Sequence, residues 1–254
     1  MAAVAAFTAE VLKARRTIGV IPGKKSPTGD HVLTEVYTKA RVDRHQRPRA
    51  YMTYAQLCIA KGFVTRPGEL LGKKAALAGA CKFLQPDEEF PHGAAVLTLS
   101  YTKGLLLACT AKHATETAYA VGTGTVTCPV AALAAVVQTY GLSDPARACE
   151  PLFASLNPDA SRKFSDPVNW LGAAHLSAAE FNKSIKELCA SAGMPHFTAR
   201  TTRYGAATDM MVRGVAPLVL MCAGRWRSID AISPYTSMTR AGAAHVARAF
   251  AATS

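Results

Sequence analysis

Apolar residues settle into helical spacing from Thr53 onward, where Thr-Tyr-Ala-Gln-Leu-Cys-Ile-Ala pairs a residue suited to an N-cap with an amphipathic run. This predicts a helix and the start of the globular region. A second helical segment is predicted over about Glu69 to Phe83. The loop QPDEEFPHG breaks that pattern, and the runs AAVLTLSY, LLLACTA and TAYAV are rich in strand-formers, so two or three antiparallel strands are expected there. Pro129 opens a helix through Tyr140, and Glu150 to Phe153 leads into a loop. SAAEFNKSIKELCASAG then reads as a capped amphipathic helix stopped by Gly193. The last third is helical as well. The expected fold class is mainly α, with a small antiparallel β-sheet inserted between early helices, and no fixed-period repeat appears.

Composition adds a basic bias. The 254 residues carry 29 Lys and Arg against 17 Asp and Glu, a net charge of +12, with a pI near 9.5. Such a balance favours a polyanion such as DNA or an acidic membrane face. Residues 1–50 hold ten of the cations (Lys13, Arg15, Arg16, Lys24, Lys25, Lys39, Arg41, Arg44, Arg47, Arg49) against four acids. Turn residues in IPGKKSPTGD and HQRPRA fit a basic arm with one or two short helices, either solvated or laid along phosphates. Residues 51–254 are expected to form one catalytic-domain-sized unit.

The seven cysteines are scattered and form no CxxC pair, which argues against a zinc site or disulfide framework and for a reducing, intracellular setting. No apolar run approaches the length needed to span a bilayer. Gly-Thr-Gly-Thr at 122–125 lacks the Gly-Lys-Ser/Thr ending of a phosphate loop and reads as a turn.

The residues that bear on chemistry cluster late, in ARTTRYGAATDMMVRGVAPLVLMCAGRWRSIDAISPYTS, residues 199–237. This stretch resembles the C-terminal block of the tyrosine recombinase (phage integrase) family. There, an Arg followed by a hydrophobic residue, Gly, Ala, Ala and a polar residue precedes an Ala-Gly-Arg-Trp turn and then a Tyr. Arg203, Gly205, Ala206, Ala207, Gly224, Trp226 and Tyr235 occupy matching positions. An earlier block, Gly-Phe-Val-Thr-Arg-Pro-Gly-Glu-Leu-Leu at 62–71, resembles the family's first arginine motif, with Arg66 as the arginine and Glu69 supporting the fold. The wording AATD and GRWRS is most similar to the DIRS-type and Crypton mobile-element branch, as is Thr-Cys-Pro-Val-Ala-Ala-Leu at 127–133. Taken singly, each residue reads as a surface arginine or a core aromatic. Joint order and spacing carry the resemblance, which covers about residues 53–240.

The resemblance implies a site-specific recombinase or integrase in which Tyr235 attacks a DNA phosphodiester in line. The product is a 3'-phosphotyrosine and a free sugar hydroxyl, and the retained bond energy allows religation without ATP, a metal or another cofactor. Arg66 and Arg203 would hold the non-bridging oxygens, since two planar, permanently charged forks match a phosphate; donors of this kind are worth about 10²–10³ in rate each. A lysine general acid would serve the leaving hydroxyl: Lys112, which ends the run LLLACTA ahead of a polar turn, with Lys103 one strand earlier as the alternative. Trp226 would pack beside the phosphate and offer its indole N–H.

One position departs from the family's pattern: three residues before the second arginine it has His or Lys, and here stands Arg200. His196 is out of register. Arg200 can hold a phosphate oxygen but cannot accept a proton at neutral pH. The long gap between Arg66 and either lysine implies an insertion around KFLQPDEEFPHG. The implied partners are double-stranded DNA and, on it, further copies of the chain as a tetramer, with Ala241–Ala251 a candidate exchanged helix and a nuclear location if the host is eukaryotic. The rival readings are a catalytically impaired DNA-binding descendant and a nicking-closing topoisomerase.

Overall fold

The computed structural model describes residues 28–43, 46–72, 76–99, 115–156, 171–228 and 231–232. The first helix among the described residues, α1 (Asp30–Lys39), places an acid in the first turn and a lysine in the last, both favourable to the helix dipole. Leu33 and Val36 on its inner face are fully buried, in the same core as the helices that follow. Part of the stretch expected as a basic arm therefore packs into the domain.

Helix α2 (Pro48–Gly62) is the axis of the fold, with Leu57, Cys58 and Ile59 buried along it and Phe63 closing its end. It starts at Pro48, whose fixed φ suits a first helical position. The N-cap expected at Thr53 is thus corrected: Thr53 lies inside the helix, its hydroxyl donating to the Arg49 carbonyl at 2.9 Å. After α2 comes a single turn, α3 (Pro67–Leu70).

The longer helix expected over Glu69–Phe83 does not form. Leu71 is extended, Gly72 turns the chain at φ +83°, and Cys81–Leu84 is strand β1. Strand pairing explains the difference: β1, itself largely exposed, pairs antiparallel with β2 (Ala94–Leu99), Cys81 opposite Leu97 and Leu84 opposite Ala94. β2 in turn pairs with β3 (Glu116–Val121), Ala94 opposite Val121 and Leu99 opposite Glu116, giving a three-stranded sheet in the order β1-β2-β3. Small Ala118 and Ala120 face the core while Tyr119 and Val121 face water, the period-two pattern of a one-sided sheet. The loop QPDEEFPHG connects β1 to β2. The run LLLACTA lies outside the described residues.

Helix α4 (Pro129–Thr139) begins and ends as the sequence predicts, Cys128 capping it and Tyr140 closing it. A two-stranded sheet then follows, β4 (Ala154–Leu156) with β5 (Leu171–His175), where only a loop was expected after Phe153. Helix α5 (Ala178–Ser191) has a full capping box: Ser177 Oγ accepts from the Glu180 N–H at 3.1 Å, and Glu180 Oε2 accepts from the Ser177 N–H at 2.9 Å. Its inner residues Phe181, Ile185 and Leu188 are each buried, worth about 1.5–3 kcal/mol apiece. Gly193 ends it at φ +64°. Helices α6 (Ala199–Val212) and α7 (Pro217–Gly224) complete the described chain. The molecule is mainly α with a small antiparallel sheet, as the sequence predicts. Among the described residues no helix is long and apolar enough to cross a membrane.

The Gly-Ala-Ala-Thr-Asp run on α6 has a packing logic. A β-carbon at Gly205 would overlap the Thr28 carbonyl, so the missing side chain lets the Thr28–Gly29 backbone that leads into α1 pass against the helix. Thr28 N–H donates to the Thr201 carbonyl at 3.2 Å, and the two threonine hydroxyls bond at 2.7 Å. Asp209 accepts from the Asp30 N–H at 2.9 Å and pairs with Lys61 Nζ at 2.9 Å. Lys61 also reaches Asp30 Oδ1 at 2.9 Å, and Arg213 reaches Asp30 Oδ2 at 2.6 Å. This network joins α1, α2 and α6, while Ala206 and Ala207 turn inward to a second small core with Val64, Leu220, Trp226 and Ile232.

Candidate active site

Two sharp turns frame the site. After α2 the chain reverses at Val64, whose φ is +48°, and after α7 it reverses at Arg225, with φ +55° and ψ +43°. The left-handed region costs an L-residue about 1–2 kcal/mol and is worse for a β-branched side chain such as Val64. Strain of this kind persists only where surrounding contacts hold it, and it concentrates at functional sites. Here the contacts are a set of arginines around one carboxylate.

That carboxylate is Glu69, in the single turn α3 and 2% exposed. Its Oε2 accepts the Arg66 backbone N–H at 2.8 Å and Oε1 accepts Arg66 Nη1 at 2.8 Å. The first bond is the usual N3-to-N-cap half of a capping box. A guanidinium has no acceptor for the other half, so Arg66 closes the loop by donating to the same carboxylate. Arg225 Nη2 donates to Oε2 at 2.7 Å, and Arg203 Nη1 lies 3.9 Å from the same oxygen.

Arg203, on α6, is itself buried. Its Nη1 donates to the Val64 carbonyl at 2.8 Å and its Nη2 to the Gly224 carbonyl. The guanidinium carbon sits 4.5 Å from the centre of the Trp226 ring, a cation–π contact worth about 2 kcal/mol when desolvated. Trp226 is 7% exposed, and a β-carbon at Gly224 would overlap its ring, so a glycine there lets the indole fold back against α7. The left-handed turn at Val64 aims its carbonyl at this cluster.

Arg66 and Arg203, drawn from separate stretches of sequence, thus meet at Glu69, and Trp226 packs on Arg203. Arg66 leaves 29% of its side chain to solvent, whereas the Arg203 fork is turned toward backbone carbonyls. Arg200 lies exposed in the first turn of α6, one turn before Arg203, and His196 is exposed ahead of the helix. Tyr235, Lys103 and Lys112 lie outside the described residues. Arg225 is the member that the sequence reading missed. It stands inside the quoted GRW turn, but no local pattern distinguishes a buried arginine from a solvated one.

Arg225 is only 7% exposed and also donates to the Phe63 carbonyl at 3.2 Å. Its Nε faces Glu116 Oε2, at the start of β3, across 3.7 Å. Three guanidinium groups therefore meet two carboxylates, an excess of one positive charge in a largely desolvated setting. Beside them a cleft of about 480 Å³ opens between Glu116 and Thr117 of β3 and Met221, Cys222, Arg225 and Trp226. A second cleft, about 490 Å³, lies between α2 and α5; it is lined by Arg47 and Arg49 of the basic stretch and touches none of the predicted catalytic residues. Among the described residues no group of His, Cys, Asp or Glu is arranged to hold a metal ion. An anionic group would suit the excess charge.

No family model matches the chain, and no curated protein matches its sequence. Solved structures do match its fold. The XerA recombinase superposes with a TM-score of 0.54 at 13% identity, covering 87% of this chain and 64% of that one. The XerH site-specific recombinase, bound to palindromic difH substrate in a post-cleavage complex, gives 0.53 at 14% identity, covering 89% and 54%. The Tn1549 transposon integrase in complex with circular intermediate DNA gives 0.52 at 13% identity, covering 97% and 76%. The chain spans between about half and two thirds of the length of the XerA and XerH proteins. The chain described here has the fold of a tyrosine recombinase catalytic domain.

Proposed function

We propose that this protein is a site-specific DNA recombinase or integrase, in or derived from a mobile element, acting through a 3'-phosphotyrosine on Tyr235. The observation that carries this reading is the meeting of Arg66 and Arg203 at Glu69, with Trp226 packed on Arg203, within that fold. Arg66, partly open to solvent, meets the scissile phosphate from the solvent side, and Arg200, one turn from Arg203, adds an exposed guanidinium. Binding of DNA then turns the Arg203 fork from the Val64 and Gly224 carbonyls toward a phosphate oxygen. Trp226 packs against the phosphate, and Lys112 or Lys103 protonates the leaving hydroxyl. With arginine in place of the family's histidine, position 200 stabilises charge and transfers no proton. The partners are double-stranded DNA and, on it, further copies of this chain as a tetramer.

Nicked suicide duplexes covering the DNA that flanks the gene test the reading on denaturing gels, with Tyr235→Phe beside wild type. A shifted protein–DNA band in wild type alone supports it. Salt-sensitive binding with no band at all favours a catalytically impaired DNA-binding descendant, a second reading for which Arg200 is the specific observation. Relaxation of arbitrary supercoiled plasmids would point instead to a nicking-closing topoisomerase.

A further inference from the structure

Arg225 is held more tightly than its place in an exposed-looking Arg-Trp-Arg run suggests. Its side chain is 93% buried, it occupies a left-handed backbone conformation, and it touches three separate parts of the fold. On one side Nη2 meets Glu69 Oε2 at 2.7 Å. On another, Nη1 and Nη2 reach the Phe63 and Val64 carbonyls at 3.2 and 3.4 Å. On the third, Nε faces Glu116 Oε2 at 3.7 Å, and neither of those two atoms has a hydrogen bond. Glu69 is also the group that orients Arg66, through the guanidinium and the backbone N–H.

We infer that Arg225 is a positioning residue: it fixes the Glu69 carboxylate that aims Arg66 and fastens β3 to the same point through Glu116. The inference rests on the reaction proposed above for its kinetic consequence, but not for its structural one. A planar fork can bond a carboxylate and two carbonyls while its Nε edge faces a second carboxylate, which a lysine ammonium cannot. A residue that holds Arg66 only through Glu69 contributes nothing further once Arg66 is gone.

Two measurements test this on the full chain. In single-turnover cleavage at saturating suicide duplex, Arg225→Ala is expected to slow formation of the covalent complex by about 10²-fold, the scale of one lost oriented donor. Duplex affinity stays within about threefold, and Arg225→Lys restores part of the rate. In an Arg66→Ala background, the Arg225→Ala change is expected to cost less than about threefold, because residues acting as a unit are not additive. Equal losses in both backgrounds would overturn the inference.

Hydrogen–deuterium exchange, which needs no activity, reads the structural half. Arg225→Ala and Arg225→Lys should both speed exchange at 66–71 and 116–121 and leave 178–191 unchanged. Exchange unchanged at those two segments would also overturn the inference. Should wild type cleave no duplex, the reaction proposed above fails, and the exchange result alone decides the role of Arg225. Should Arg225→Ala not fold, Arg225→Lys carries both tests.

Discussion

Replacing Glu69 by glutamine keeps the shape of the side chain and removes its charge, so it isolates what the carboxylate does for the arginines around it. In the wild type that group is 2% exposed and lies within 2.8 Å of both Arg66 and Arg225, with Arg203 at 3.9 Å. Removing one partner of a buried ion pair typically costs about 3–5 kcal/mol, because the surviving charge is left without compensation. Arg203 keeps its two carbonyls and Arg66 can turn to water, which places the expected loss near the lower end, about 3 kcal/mol. For a chain of this size each kcal/mol moves the melting midpoint by about 2–4 °C, so a drop of about 6–12 °C is expected by calorimetry. The exposed pair Glu35–Lys39, with side chains 44% and 52% exposed, is the control. Glu35→Gln should change stability by less than about 1 kcal/mol. A Glu69→Gln midpoint as little changed as that of Glu35→Gln would refute the reasoning and mean that the arginines find equal partners without the carboxylate.

Other consequences follow from the same geometry. Gly205→Ala drives a methyl into the Thr28 carbonyl, and the forced backbone shift should cost about 1–3 kcal/mol in urea unfolding, with faster proteolysis near residues 28–30. Burial alone would raise the carboxyl of Asp30, but its pairing with Lys61, its hydrogen bonds to Lys61 and Thr127 and the charge of Arg213 outweigh burial and hold it below its ordinary 3.8. A depressed carboxylate contributes stability above its unfolded value and loses it as pH falls through the folded one. Wild type should therefore lose stability below about pH 4 more steeply than Asp30→Asn, as followed by circular dichroism. Binding to duplex DNA should weaken by about 10³ or more between 50 and 200 mM salt if six or more phosphates are neutralised, and fluorescence anisotropy showing salt-independent affinity would contradict a phosphate-tracking interface.

Local physics made much of this molecule legible in its sequence. Ser177 with Glu180, Pro129 and Gly193 each fix a helix end by a bond or a backbone angle that depends on near neighbours, and those boundaries were readable. Cys81–Leu84 was not, since its apolar run fits a helix as well as a strand until pairing with β2 decides. The short pair β4–β5 was missed for the same reason. Arg66, Arg203 and Trp226 were singled out because their spacing resembles a known pattern, and the fold brings these three together. Arg225 was not, because its role depends on Glu69 and Glu116, which are distant in sequence and meet it only in the fold.

The most direct test of the central claim is the chemical location of the bond to DNA. Trypsin releases Ser228–Arg240 as one peptide in which Tyr235 is the sole tyrosine. Mass spectrometry of the trapped and nuclease-treated complex should find that peptide carrying a nucleotide phosphate on Tyr235. A nucleotide on any other residue, or a trapped complex in which this peptide stays unmodified, would contradict the account.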